Sequence, residues 1–304
     1  MGKVNSYGWK AVIGSSIGYA MDGFDLLILG FMLSLISGDL GLTTGQAGSL
    51  VTWTLVGAVI GGLVFGSLSD RFGRVRILTW TIVLFAVFTG LCAFAQGYWD
   101  LLIFRTIAGI GLGGEFGIGM ALAAEAWPAQ HRAKATSYVA IGWQIGVLAA
   151  AILTPLLLPH IGWRGMFMVG VIPALVAWIF RSRLHEPKIF VQAQENREDS
   201  RNNSFKLLVK DLKTTKTSIG VTILTSVQNF GYYGIMIWLP NFLSKQLGFS
   251  LTKSGLWTAI TVCGMLVGIW VFGRLADRIG RKPTFILFQV GSVISILVYS
   301  QLSD

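Results

Sequence analysis

Nine stretches of this sequence are each long and apolar enough to cross a bilayer, and they leave little chain over for any other kind of fold. They run at about 11–36, 47–68, 76–96, 101–124, 135–158, 162–181, 218–243, 252–273 and 284–302, and an apolar helix needs only about 20 residues to cover roughly 30 Å of hydrocarbon. Backbone polar groups in lipid must be satisfied within the chain. Long runs without strand-like alternation therefore read as helices, and the expected fold is an all-α integral membrane bundle. The first stretch is too long for a cleavable signal peptide and holds two aspartates. Only 12% of the residues are charged, about half of the roughly 25% usual in a soluble domain.

Where the basic residues fall sets the expected orientation. With the N-terminus in the cytoplasm, only Arg164, Lys245 and Lys253 of the 24 lysines and arginines lie outside, and Arg105 lies within a span. That bias follows the positive-inside rule and predicts a multi-pass protein of the plasma membrane. The net charge of +10 is thereby a topological signal, and nucleic acid is not an expected partner. The polar stretch 182–217, containing QAQENREDSRNNS, reads as a cytoplasmic linker. Cys92 and Cys263 sit inside apolar runs, and the three histidines have no ligand spacing, so neither a disulfide framework nor a metal site is expected. No nucleophile–base constellation stands out, and neither an enzyme nor a bound organic cofactor is expected.

A short charged turn occurs twice. GSLSDRFGRVR at 66–76 is matched by GRLADRIGRKP at 273–283. At an offset of 207, Gly57, Gly61, Val64, Phe65, Gly66, Leu68, Asp70, Arg71, Gly73 and Arg74 fall on Gly264, Gly268, Val271, Phe272, Gly273, Leu275, Asp277, Arg278, Gly280 and Arg281. Both copies end a helix running out-to-in, so the repeat is parallel. Glycines allow close packing and a sharp turn, and Asp70 and Arg74, four apart, are spaced to pair.

The pattern G-x-L-[SA]-D-R-x-G-R resembles the signature of the major facilitator superfamily. EAWPAQHRAKA at 125–135 is similar to the E-x-x-P-x-x-x-R turn of its sugar-porter and organic-acid branches, with Ala133 where sugar porters usually have glycine. LHEP at 184–187 loosely resembles the family's E-S-P-R motif after helix six. The resemblance implies a six-helix half at 1–181, the linker at 182–217 and a second half at 218–304 holding three helices. The family has twelve helices, so the equivalents of helices ten to twelve are expected to be missing. The resemblance also implies a cytoplasmic conformational gate. Glu125 and Arg132 would join Asp70 and Arg74, with Gly66, Arg71 and Gly73 in the first turn and Gly273, Asp277, Arg278, Gly280 and Arg281 in the second.

Ionisable groups at membrane depth are rare and usually functional. AMDGFDLLILG places Asp22 and Asp25 in the first span, and FRTIAGIGLGGEFG places Arg105 and Glu115 in the fourth. At 1.5 Å per residue, Arg105 lies about 7 Å below the outer end, Asp25 about 16 Å, and Asp22 and Glu115 about 20–23 Å. An arginine side chain spans the gap to Asp25 if the two helices are neighbours. Protonating the carboxylate of such a pair would loosen it, which makes a proton switch. In proton-linked sugar porters an aspartate of G-[FY]-D works with the arginine of R-x-x-x-G-x-G, positions matched by Asp25 and Arg105. The D-G-[FY]-D form resembles organic-acid symporters and implies a role for Asp22. Glu115 stands where phosphate porters carry the aspartate of G-G-D-Y-P. The GIGLGG run lies inside a span, without the preceding strand that a dinucleotide loop needs, and is expected to serve helix packing.

Substrate is expected near the midplane between the halves. The polar and aromatic residues there are Trp143 and Gln144 in IGWQIG, and Gln228, Asn229, Tyr232 and Tyr233 in VQNFGYYG. These groups hydrogen-bond carboxylates or hydroxyls and stack on rings. The resemblance implies a proton-coupled symporter of a small organic anion, such as a monocarboxylate, aromatic acid or sialate. A sugar or phosphate porter is the nearest alternative, and a truncated, non-transporting membrane protein is another. A drug exporter is disfavoured, since the fifth span lacks G-P-x-x-G-G.

Overall fold

A computed structural model describes residues 6–128, 132–181, 186, 210–245 and 248–301, apart from the side chains at 133, 180, 181, 239–241, 245, 273, 274, 276, 277, 281, 299 and 300. Most of the linker 182–217 thus lies outside the described residues, as do Gly273 and the side chains of Asp277 and Arg281. The described residues form nine helices and no strand. We number them α1 (Ser6–Leu40), α2 (Thr44–Phe72), α3 (Arg74–Cys92), α4 (Tyr98–Ala126), α5 and α6 (132–161 and 163–181), α7 (Leu212–Lys245), α8 (Leu251–Ile279) and α9 (Arg281–Gln301). The chain divides into two compact units, Met1–Ala259 and Ile260–Asp304.

Three expected spans differ in detail. The fifth and sixth are one helical run, Arg132–Arg181, whose backbone leaves the helix only at Gly162, with φ 65° and ψ −179°. Pro155, Pro159 and Pro173 are carried inside that run. The seventh begins earlier than expected because Asp211 caps it, accepting from the Thr214 backbone N–H at 2.8 Å. Leu212–Lys245 is also the least apolar of the long helices, since threonines, Ser226, Gln228, Asn229 and two tyrosines interrupt its hydropathy.

In the first unit α1 is the central element, packed against α5, α4 and α7, and it is buried from Met21 through Leu33. A helix that is apolar all round belongs in such a place. Glycine sets how closely its neighbours pack. On α2, a Cβ at Gly57 or Gly61 would run into the carbonyls of Thr106 or Ile110 on α4, and on α4, Gly109 and Gly113 meet the carbonyls of Thr54 and Ala58. Gly111 lies against the backbone of Thr81 and Phe85 on α3. The GIGLGG run is therefore the seam along which α4 meets α2 and α3. Gly142 and Gly146 of α5 approach Ser16 and Ala20 of α1 in the same way.

The repeat extends well beyond the charged turn. α2 ends at Phe72 and α8 at Ile279, while α3 starts at Arg74 and α9 at Arg281, all at the offset of 207. Gly73 and Gly280 turn the chain with φ 111° and 94°, a region L-residues avoid. Upstream, Gly41 and Gly248 have φ 63° and 64°. Thr43 and Ser250 each accept from the backbone N–H three residues on, at 3.2 Å, and so cap α2 and α8.

Candidate functional site

The deepest charges form one constellation. The two terminal nitrogens of Arg105 on α4 donate to the two carboxylate oxygens of Asp25 on α1, at 3.0 and 2.7 Å. Its Nε donates to Thr54 Oγ1 on α2 at 3.3 Å. Thr54 in turn donates to the carbonyl of Leu50 at 2.7 Å. Phe167 of α6 places its ring 5.8 Å from the guanidinium carbon. Asp25 and Arg105 are both 0% exposed. A buried pair survives its desolvation cost only with this two-pronged geometry and its remaining donors occupied. The sequence marks Asp25 and Arg105 but gives no sign of Thr54 or Phe167, which are ordinary span residues brought in by helix register.

Beside the pair lies a cavity of about 790 Å³ between α1, α2, α4, α5 and α7. Asp22 lines it, whereas Asp25 and Arg105 do not, so the two α1 aspartates three residues apart have different surroundings. Glu115 is 2% exposed and turns to α3, accepting from Thr81 Oγ1 at 3.2 Å. Of the expected substrate residues, Trp143, Asn229 and Tyr233 line the cavity. Tyr232 accepts from Trp143 Nε1 at 2.6 Å, tying α7 to α5. Gln144 is buried and outside the lining, and Gln228 is exposed and outside the lining.

Two residues complete the aromatic wall. Tyr19 stands 4.9 Å from Trp143 and 5.1 Å from Phe116, ring centre to ring centre, and Trp143 lies 6.0 Å from Tyr233. Sequence reasoning passed over Tyr19 and Phe116. The available signal was their spacing, since Tyr19 precedes Asp22 by one helical turn and Phe116 follows Glu115 directly. No lysine or arginine is among the described residues lining the cavity.

At the far end of α2, Arg74 joins Asp70 at 2.7 Å and Glu125 at 3.1 Å, and it donates to Ser69 Oγ at 2.8 Å. This brings together three of the four residues expected to form that network. Arg132 stands exposed at the start of α5 and enters no ion pair among the described residues. Arg71 lies over the Phe72 ring at 5.3 Å, and Arg278 of the second turn is exposed. Glu186, from the LHEP segment, caps α3. Its carboxylate accepts from the backbone N–H groups of Arg74, Val75 and Arg76 at 2.8, 3.0 and 3.1 Å, satisfying three donors that the start of a helix leaves open. A side chain at Gly73 would strike that carboxylate. Gly66 has no heavy atom within 4 Å of a would-be Cβ, so packing in this conformation does not require its glycine.

The opposite end of the first unit has a tie the sequence did not reveal. Asp39 at the end of α1 accepts from Arg164 at 2.6 Å and from Trp163 Nε1 at 3.0 Å. Arg164 also reaches the carbonyl of Ala95 at 3.3 Å and lies 4.1 Å from the Trp163 ring centre. The α5–α6 turn is thereby fastened to α1 and to the segment between α3 and α4.

The sequence model of the Major Facilitator Superfamily matches residues 15–303. A Haemophilus influenzae protein assigned, without a stated substrate, to metabolite transport is 76% identical over 99% of this chain and 75% of its own length. The cis,cis-muconate transport protein of Acinetobacter baylyi is 31% identical over 96% of this chain and 72% of its own. Further relatives are named as transporters of sialic acid, niacin and benzoate. Among solved structures, the partially occluded, inward-open xylose transporter XylE from E. coli superposes with a TM-score of 0.71 at 21% identity. That match covers 91% of this chain and 75% of the XylE chain, and the likeness is one of fold.

Proposed function

This chain belongs to the major facilitator superfamily, a family of membrane transporters, and we propose that it serves as a proton-coupled symporter of a small organic anion. The reading includes alternating access in the plasma membrane, with the N-terminus cytoplasmic and 1–181 and 218–304 belonging to the two repeated halves. Named relatives carry organic acids, which supports the substrate class.

The observation that carries the coupling is the division of labour between the α1 aspartates. Asp22 lines a cavity with no cation among its described lining residues. Two like charges about 5 Å apart at an effective dielectric of about 20 repel by roughly 3 kcal/mol. An anion therefore enters such a cavity far more readily with Asp22 protonated, and by linkage the bound anion holds that proton equally firmly. Asp25 supplies the second switch, since its protonation cancels the pair that ties α1 to α4 and, through Thr54, to α2. Glu115, on α4 and bonded to Thr81 of α3, is a further carboxyl of the coupling.

The cytoplasmic network would then act as a gate. Asp70→Asn removes one of the two carboxylates paired with Arg74. The expected result is slower turnover with substrate affinity kept, read from initial rates and equilibrium binding. A pure loss of affinity at unchanged turnover would count against a gate.

The test of the function is uptake into proteoliposomes under an imposed pH gradient, with cis,cis-muconate, benzoate, sialic acid, xylose and phosphate as substrates. Accumulation of an organic acid, collapsed by a protonophore, is expected. Gradient-insensitive uptake would refute the coupling. A neutral sugar is the second reading, favoured by the lack of a cation among the described lining residues, and accumulation of xylose alone would establish it.

A further inference from the structure

We infer that Tyr19 is a specificity-determining residue of the cavity, selecting flat, conjugated carboxylic acids over saturated acids of the same length and charge. This rests on the organic-anion reading above and adds a residue to it. Tyr19 precedes Asp22 by three positions on α1, a spacing that puts both on one face, and both line the cavity. Its ring packs against two others, Phe116 at 5.1 Å with an interplanar angle of 40° and Trp143 at 4.9 Å and 44°. The ring is therefore fixed in place, and stacking on it costs a ligand little ordering of the protein.

The charge of the cavity makes this face matter. No lysine or arginine is among the described lining residues, so what these residues offer an acid is stacking and neutral hydrogen bonds. The repeat separates those two contributions. The position answering to Tyr19 at the offset of 207 is Ser226, and the one answering to Asp22 is Asn229, and both line the same cavity. At these two positions α1 offers a ring and a protonatable carboxyl, while α7 offers a small hydroxyl and an amide, its own rings Phe230, Tyr233 and Trp238 standing further along the helix. A planar acid satisfies both at once. A saturated chain leaves the ring face with only a puckered, mobile partner.

The test is equilibrium binding to the purified protein of cis,cis-muconate and adipate, six-carbon dicarboxylates that differ in their two double bonds. Aromatic contacts of this kind are worth about three- to tenfold in affinity, so muconate is expected to bind about three- to tenfold more tightly than adipate. Tyr19→Leu should bring the two within about twofold by weakening muconate alone, because the stack is what it removes. Tyr19→Phe should keep the preference, and Tyr19→Met replaces the leucine variant if that one does not fold. A preference unchanged in the leucine or methionine variant, or lost in the phenylalanine variant, would overturn the inference. Equal binding of both acids by the wild type overturns this inference alone. Binding of benzoate or sialic acid but of neither six-carbon acid also overturns this inference alone, and binding of none of the four overturns the organic-anion reading along with it.

Discussion

Replacing Arg105 with alanine is expected to lower stability by about 3–5 kcal/mol, the cost of leaving a buried charge without its partner. The carboxylate of Asp25 is 0% exposed, and the substitution takes away both guanidinium nitrogens bonded to it. Thr54 loses its donor too, although it keeps its own bond to Leu50. The measure is thermal unfolding of the purified protein in detergent. Pairing Arg105→Gln with Asp25→Asn should recover much of the loss, since two neutral amides can bond each other without an orphaned charge. If Arg105→Ala alone unfolds at the wild-type temperature, the pair does not hold α1 to α4.

The second large effect is steric. A Cβ at Gly61 would fall on the backbone of Ile110, so Gly61→Val forces α2 and α4 apart along the whole glycine seam. Overpacking a core typically costs about 1–3 kcal/mol, and here the obstacle is backbone, which cannot rotate away. Loss of monodisperse protein on size exclusion is expected. Gly66→Ala, one turn and a residue further along the same helix, should leave the profile unchanged, because nothing approaches that position. A normal profile for Gly61→Val would contradict the packing described.

What was legible in the sequence was whatever depends on solvent and covalent repetition. Apolar length indicates the helices, and the offset of 207 indicates paired turns whose glycines both prove to have positive φ. Ionisable residues inside spans pointed to Asp22, Asp25, Arg105 and Glu115, because charge in lipid is conspicuous whatever surrounds it. Contacts between helices were mostly illegible. Thr54, Phe167 and Tyr19 look like ordinary membrane residues until α1, α2, α4 and α6 are set in register. The Asp39–Arg164 tie joins residues whose codes suggest only the outer boundary. Glu186 belongs to a loosely matching motif, but its use as an α3 cap rests on contacts to Arg74, Val75 and Arg76 that the sequence does not show. The break at Gly162 was also narrower than the hydropathy implied, since one residue out of the helical region is enough to turn a run containing three prolines.

The most direct measurement of the central claim compares two kinds of transport in one variant. Asp25→Asn removes the carboxylate charge from the pair with Arg105 while keeping an oxygen to accept its hydrogen bond. In proteoliposomes the variant should still exchange labelled for unlabelled organic acid across the membrane at equal pH, which also reports that it is folded. It should accumulate the acid far less than the wild type when the outside is made more acidic, since only the proton linked through Asp22 remains. Accumulation at the wild-type level under that gradient would contradict the proposed role of Asp25 as the proton switch.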